Sequence, residues 1–146
     1  MSSRRKFLAD GTRIVAGGLA LSSFTESPFS IRSGGRFSPA DRLNVGAIGI
    51  NGMGFADLKS SLKQQGVNLV ALCDIDQNVL DKRKKELASS SVDLSKVVSY
   101  GDYRKLLENK DVDIVIVGTP DHWHCLQMVE ACQAGKDVYV EKPIGN

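Results

Sequence analysis

The sequence predicts a doubly wound, all-parallel α/β sheet. Three observations predict it. From Leu43 onward, short apolar and β-branched runs alternate with stretches of helical period. Asp76 and Asp102 stand where helices would start and Gly135 where one would stop. The chemically distinctive residues fall just after the apolar runs, outside the carboxyl ends of strands, where such sheets place ligands.

The first strand is Leu43 to Ile48, ending in Gly49, Gly52 and Gly54. A helix follows with Phe55, Leu58 and Leu62 on one face. Asn68 to Cys73 reads as the second strand, closed by Asp74; Asp76 then caps a helix carrying Val79, Leu80, Arg83 and Leu87. A third, short strand is placed around Val97 to Ser99, and Asp102 caps a brief helix through Leu106 and Leu107. The β-branched run Asp113 to Gly118 is the fourth strand. The last helix spans about His122 to Ala134, with Cys125, Val129 and Cys132 on one face. Asp137 to Val140 is the fifth strand, and right-handed crossovers join the set into one sheet.

The residues before Leu43 differ in kind. Ser3-Arg4-Arg5-Lys6-Phe7-Leu8 precedes a mildly apolar stretch from Ile14 to Phe24, the charge-then-hydrophobic order of an export signal, and it resembles the twin-arginine type. That stretch is too short for a transmembrane span. No A-x-A cleavage site stands out, which leaves an uncleaved anchor open. Thr25 to Arg42, rich in Ser, Gly and Pro, reads as a linker. The expected organisation is therefore signal and linker over residues 1–42 and one domain over residues 43–146, in a protein exported to the periplasm.

With 146 residues, 42% hydrophobic and 25% charged, the chain has the composition of an ordinary globular domain, not of a disordered or disulfide-framed one. A net charge of +2 gives no reason to expect nucleic acid as a partner. Three cysteines without paired spacing suggest no disulfide framework.

The turn Gly49-Ile50-Asn51-Gly52-Met53-Gly54 overlays the G-x-G-x-x-G fingerprint of the dinucleotide-binding Rossmann fold, with Asn51 at the second glycine. Gly49 lets the chain turn and Gly54 lets helix and strand pack closely, while Gly52 restores close approach to a pyrophosphate. The helix N-terminus then offers free N–H groups to the phosphates. Asp74, after the second strand, is placed to accept hydrogen bonds from the ribose hydroxyls. Its neighbour is Ile75 and not a cation, which favours NAD over NADP. The fourth strand leads into Thr119-Pro120-Asp121-His122-Trp123-His124, whose polar residues can line the crevice. His122, His124 and Cys125 lack a second ligand pair at zinc-site spacing, so no metal is expected. Glu141-Lys142-Pro143 closes the fifth strand and sets a lysine over the crevice, where an ammonium can orient a substrate hydroxyl. Taken alone, that lysine reads more readily as half of a solvated Lys–Glu pair.

Together these segments, with Ala134-Gly135-Lys136 before the fifth strand, resemble the N-terminal domain of the Gfo/Idh/MocA family, the glucose-fructose oxidoreductase and inositol dehydrogenase relatives. The resemblance runs from Leu43 to Asn146. It implies a NAD(P)-dependent oxidoreductase in which Lys142 lies by the nicotinamide and substrate, and in which Thr119, Pro120, His124, Glu141 and Pro143 border the cofactor. It also implies a sugar or polyol substrate, a homo-oligomer at full length, and a second domain for substrate binding beyond the present sequence, so that the chain alone would bind cofactor and turn over little. Two other functions stay open: an NAD-dependent glycoside hydrolase of the same family, and a non-catalytic nucleotide-binding module.

Overall fold

The computed structural model describes residues 42–145; the predicted signal and all of the linker but Arg42 lie outside the described residues. The order of elements is β1 (Leu43–Ile48), α1 (Met53–Ser61), β2 (Val67–Cys73), α2 (Gln77–Ser89), β3 (Val98–Tyr100), α3 (Tyr103–Leu107), β4 (Ile114–Val117), α4 (Asp121–Gln133) and β5 (Asp137–Val140). The strands form one parallel sheet in the order β3-β2-β1-β4-β5. The chain therefore builds outward from β1 to β3, then returns to β4 on the other side of β1. That reversal is the point at which a doubly wound sheet opens a crevice at its carboxyl ends.

Alternation along the strands supplies both faces of the sheet. Val45 and Ala47 of β1, Leu72 of β2 and Ile116 of β4 pack with Phe55 and Leu58 of α1 and Leu80 and Leu87 of α2. Ile48, Cys73, Val115 and Val117 point the other way, against Tyr103, Leu106 and Leu107 of α3 and Ala131 of α4. A register shift adds one residue to β2: Val45 pairs with Leu69 but Gly46 with Ala71. The insertion puts Leu69 and Leu72, three apart, in the same cluster. Leu58, Leu72, Leu80, Leu87 and Leu106 are almost wholly buried, each burial worth roughly 2 kcal/mol. Packing, more than helix propensity, thus holds an element as short as the five-residue α3.

Both predicted caps are present. Asp76 accepts from the Asn78 N–H at 2.8 Å and Asp102 from the Arg104 N–H at 2.9 Å. Strand and helix ends differ from expectation by a residue or so: β2 begins at Val67, β3 runs to Tyr100, and α4 starts at Asp121. The shared face of Cys125, Val129 and Cys132 on α4 is the outer one: all three are exposed, and His124, Gln127 and Ala131 are the buried residues. Apolar periodicity picked the outer stripe because the inner one is polar where it meets the carboxyl end of the sheet. Hydrogen bonds to His124 and Gln127 offset the cost of burying them.

Gly49 has φ +76°, a conformation that a side chain would strain. Gly54 and Gly118 face each other across the junction of α1 and β4. A Cβ on Gly54 would run into the Gly49 carbonyl oxygen and come within 2.9 Å of the Gly118 Cα, and one on Gly118 would strike Gly54 backbone. Around Gly52 a Cβ would meet nothing within 4 Å. Gly54→Ala is therefore expected to cost about 3 kcal/mol of stability, because backbone must move. Gly52→Ala is expected to stay within about 1 kcal/mol of wild type. Urea unfolding of the two variants measures the contrast.

Candidate functional site

A crevice of about 810 Å³ opens along the carboxyl ends of the strands. Its walls include Gly49, Asn51 and Gly52 of the first turn, Asp74 and Ile75 after β2, Gly101 and Tyr103 after β3, and Thr119 and Pro120 after β4.

At the first turn, α1 begins at Met53 with no side-chain cap and no acidic residue in its first turn. The positive end of the helix dipole is thus left without a protein anion, and the open space at Gly52 lies beside it. This arrangement suits a bound pyrophosphate. Asn51 does not take up left-handed geometry; positive φ in the turn belongs to Gly49.

Asp74 is held from both sides. Its Oδ2 accepts from the Ile50 N–H at 3.0 Å and its Oδ1 from the Asp76 N–H at 3.1 Å. Each carboxylate oxygen keeps a further lone pair, so an oriented acceptor faces the crevice. Ile75, 95% exposed, forms the lip beside it. On the floor, burial first, and then the neighbouring Asp74 and Asp102 carboxylates, push the Cys73 thiol up to about 12. Cys73 is therefore a protonated wall group, not a nucleophile.

The opposite wall is built on Tyr103, whose hydroxyl donates to Glu130 Oε2 at 2.6 Å. Its ring meets Trp123 edge-on at 6.4 Å and lies under the Arg104 guanidinium at 4.6 Å. Farther along, the Thr119 hydroxyl donates to Gln127 Oε1 at 2.7 Å. His124, 1% exposed, spans two loops: Nε2 lies 2.6 Å from the Thr119 carbonyl oxygen and Nδ1 2.8 Å from that of Pro143. Both ring nitrogens thus face main-chain carbonyls, and a ring N–H donates there.

Of the residues predicted from sequence, Gly49, Asn51, Gly52, Asp74, Thr119 and Pro120 line the crevice together. Met53, Gly54, His124, Glu141, Lys142 and Pro143 stand behind or beside it. Lys142 is exposed after β5, and the Glu141 N–H donates to the Val117 carbonyl at 3.0 Å. The Glu141 carboxylate faces α1: burial, and then Glu141, push the Asp57 carboxyl above its usual range. Lys136 of the Ala-Gly-Lys motif works at the far end of the sheet, donating to the Asn109 and Val112 carbonyls at 2.8 Å each. Tyr103 and Gln127 were not foreseen as wall residues; Gln127, three residues after His124, carried a signal as a polar group on the same helical stripe. Among the described residues, no group of three or more His, Cys, Asp or Glu side chains is placed to hold a metal ion.

Comparison with known proteins agrees with this geometry. Residues 43–146 match the oxidoreductase family with an NAD-binding Rossmann fold. A glycosyl hydrolase family 109 protein of Shewanella baltica (strain OS185) is 33% identical over 153 residues, covering 97% of this chain and 33% of the relative. The crystal structure of myo-inositol 2-dehydrogenase from Lactobacillus plantarum superposes with a TM-score of 0.61 at 30% identity, over 71% of this chain and 29% of that one. Myo-inositol dehydrogenase from Lactobacillus casei, solved in complex with NAD(H) and myo-inositol, gives 0.62 at 26% identity, over 71% and 29%. The chain thus spans about a third of the length of the relatives it matches.

The Tyr103 wall generates a pH prediction. Burial first, and then the hydrogen bond and charge of Glu130, push the Tyr103 phenol up to about 12 from an ordinary 10. A raised phenol contributes stability that is complete below pH 10 and lost as pH rises through 12. Tyr103→Phe is expected to cost about 1 kcal/mol at pH 8, and that gap from wild type is expected to shrink above pH 10. Urea melts of both proteins across pH 8 to 11.5 check it.

Proposed function

The chain belongs to the Gfo/Idh/MocA oxidoreductase family and carries its NAD-binding Rossmann domain; from that premise we propose that it binds NAD in the crevice for hydride exchange with a sugar or polyol hydroxyl carbon. The observation that carries this reading is the uncapped start of α1 beside open space at Gly52, with the fixed Asp74 carboxylate across the turn. NAD, when bound, supplies the hydride-exchanging carbon, and the protein supplies placement.

Each residue has a stated part in that placement. Gly52 and the first N–H groups of α1 receive the pyrophosphate, and Asp74 accepts from the ribose hydroxyls. Asp74 and Asp76 at that rim repel a 2′-phosphate, which favours NAD over NADP. Thr119 and Pro120 border the nicotinamide end. Lys142, carried on the loop that His124 ties to Thr119, orients the substrate hydroxyl and assists its proton. A small-molecule sugar or polyol substrate and a homo-oligomeric assembly are part of the same proposal. The twin-arginine-like segment at Arg4 and Arg5 supports a periplasmic place of action.

A second reading is favoured by one finding. The Shewanella relatives are named as glycosyl hydrolases, and an NAD-dependent hydrolase would use the same crevice with no net NADH formed.

NAD titration of the chain, followed by fluorescence of its single tryptophan, Trp123 on the crevice wall, tests the proposal. Saturable binding is expected, weakened about tenfold or more by Asp74→Ala, with NADP binding more weakly than NAD. A folded protein that shows no saturation with NAD would sink the assignment.

A further inference from the structure

The carbonyl of Ile50 supplies an inference that rests on reading the glycine turn as the pyrophosphate cradle. Ile50 is fully buried inside the turn, so both its backbone polar groups need partners. Its N–H donates to Asp74, as described. Its carbonyl oxygen accepts from Arg83 Nε at 2.9 Å, a residue of α2 that does not line the crevice. The two successive peptides that flank Ile50 in the cradle are thus each held by a charged side chain, both from the βα unit that follows.

Arg83 is itself locked. Nη1 donates to Glu86 Oε1 at 2.9 Å and Oε2 at 3.0 Å, and the guanidinium lies 4.3 Å from the centre of the Phe55 ring. Phe55 belongs to the first turn of α1, the turn whose N–H groups face the phosphates. The Arg83 side chain is 14% exposed. A planar fork with several donors can serve carbonyl, carboxylate and ring together, which an ammonium cannot. The geometry points to Arg83 as a positioning residue for cofactor binding: it fixes the Ile50 peptide and the first turn of α1 relative to each other and never touches the ligand. Glu86 balances its charge, so its contribution is the shape of the cradle more than attraction for the phosphates.

The test uses the whole 146-residue chain, amide-resolved hydrogen exchange and NAD titration. Arg83→Met keeps a stem over Phe55 and removes the donor; Arg83→Lys keeps the charge but offers a point donor shared between Ile50 and Glu86. Exchange of the Ile50 amide is expected to rise about tenfold in the Met variant and less in the Lys variant. The Val115 amide in the sheet centre is expected to stay protected, and NAD affinity to fall in the same order. Should Arg83→Met not fold, the Lys variant alone still gives the comparison of Ile50 with Val115. An equal rise at Ile50 and Val115, or no rise at Ile50 in either variant, overturns the inference. If exchange follows the expected order while wild type binds no NAD, the brace stands and the functional reading falls. If wild type binds NAD and both variants bind it equally well with Ile50 unchanged, the brace falls and the reading stands.

Discussion

Backbone meets backbone where Gly49, Gly54 and Gly118 come together, and the site depends on that contact. The end of β1, the first turn of α1 and the end of β4 approach closely enough that a methyl group on Gly54 or Gly118 would collide with main chain. The same contact carries the Gly118 N–H to the Ile48 carbonyl at 2.9 Å. It brings Thr119, just after β4, beside the glycine turn that follows β1, so both line one crevice.

Around that junction, the polar groups of the site are arranged so that few depend on solvent. Asp74 is bonded to two N–H groups, the His124 ring sits between two main-chain carbonyls, and Gln127 is bonded to the Thr119 hydroxyl. Buried polar groups left unbonded are costly, so each bond also fixes an orientation. The wall is preorganised because its residues are spoken for by the protein.

Legibility in the sequence followed the physics of each element. The strands were readable because β-branched runs such as Ile114 to Val117 have few other uses. The caps Asp76 and Asp102 were readable because a side-chain acceptor at a helix start has a local meaning. The glycine turn and Asp74 could be placed from spacing, since turn, helix start and strand end are consecutive in the chain. The inner face of α4 could not. Its burial is stabilised by partners outside the helix, Thr119 and Pro143, and a hydrophobic pattern cannot register a buried histidine that bonds main chain. The wall formed by Tyr103 and Trp123 was hidden for a similar reason, because aromatic contact between α3 and α4 arises only once the sheet is assembled.

The strand order β3-β2-β1-β4-β5 carries a consequence for the birth of the protein. A nascent chain emerging from the ribosome presents the glycine turn early, yet the partners that shape the turn arrive much later: Asp74, then Arg83, and last Gly118. Until β4 docks against β1, the first βαβ unit has a cradle with one wall missing. A ligand that needs both walls therefore meets them only after translation has passed the fourth strand.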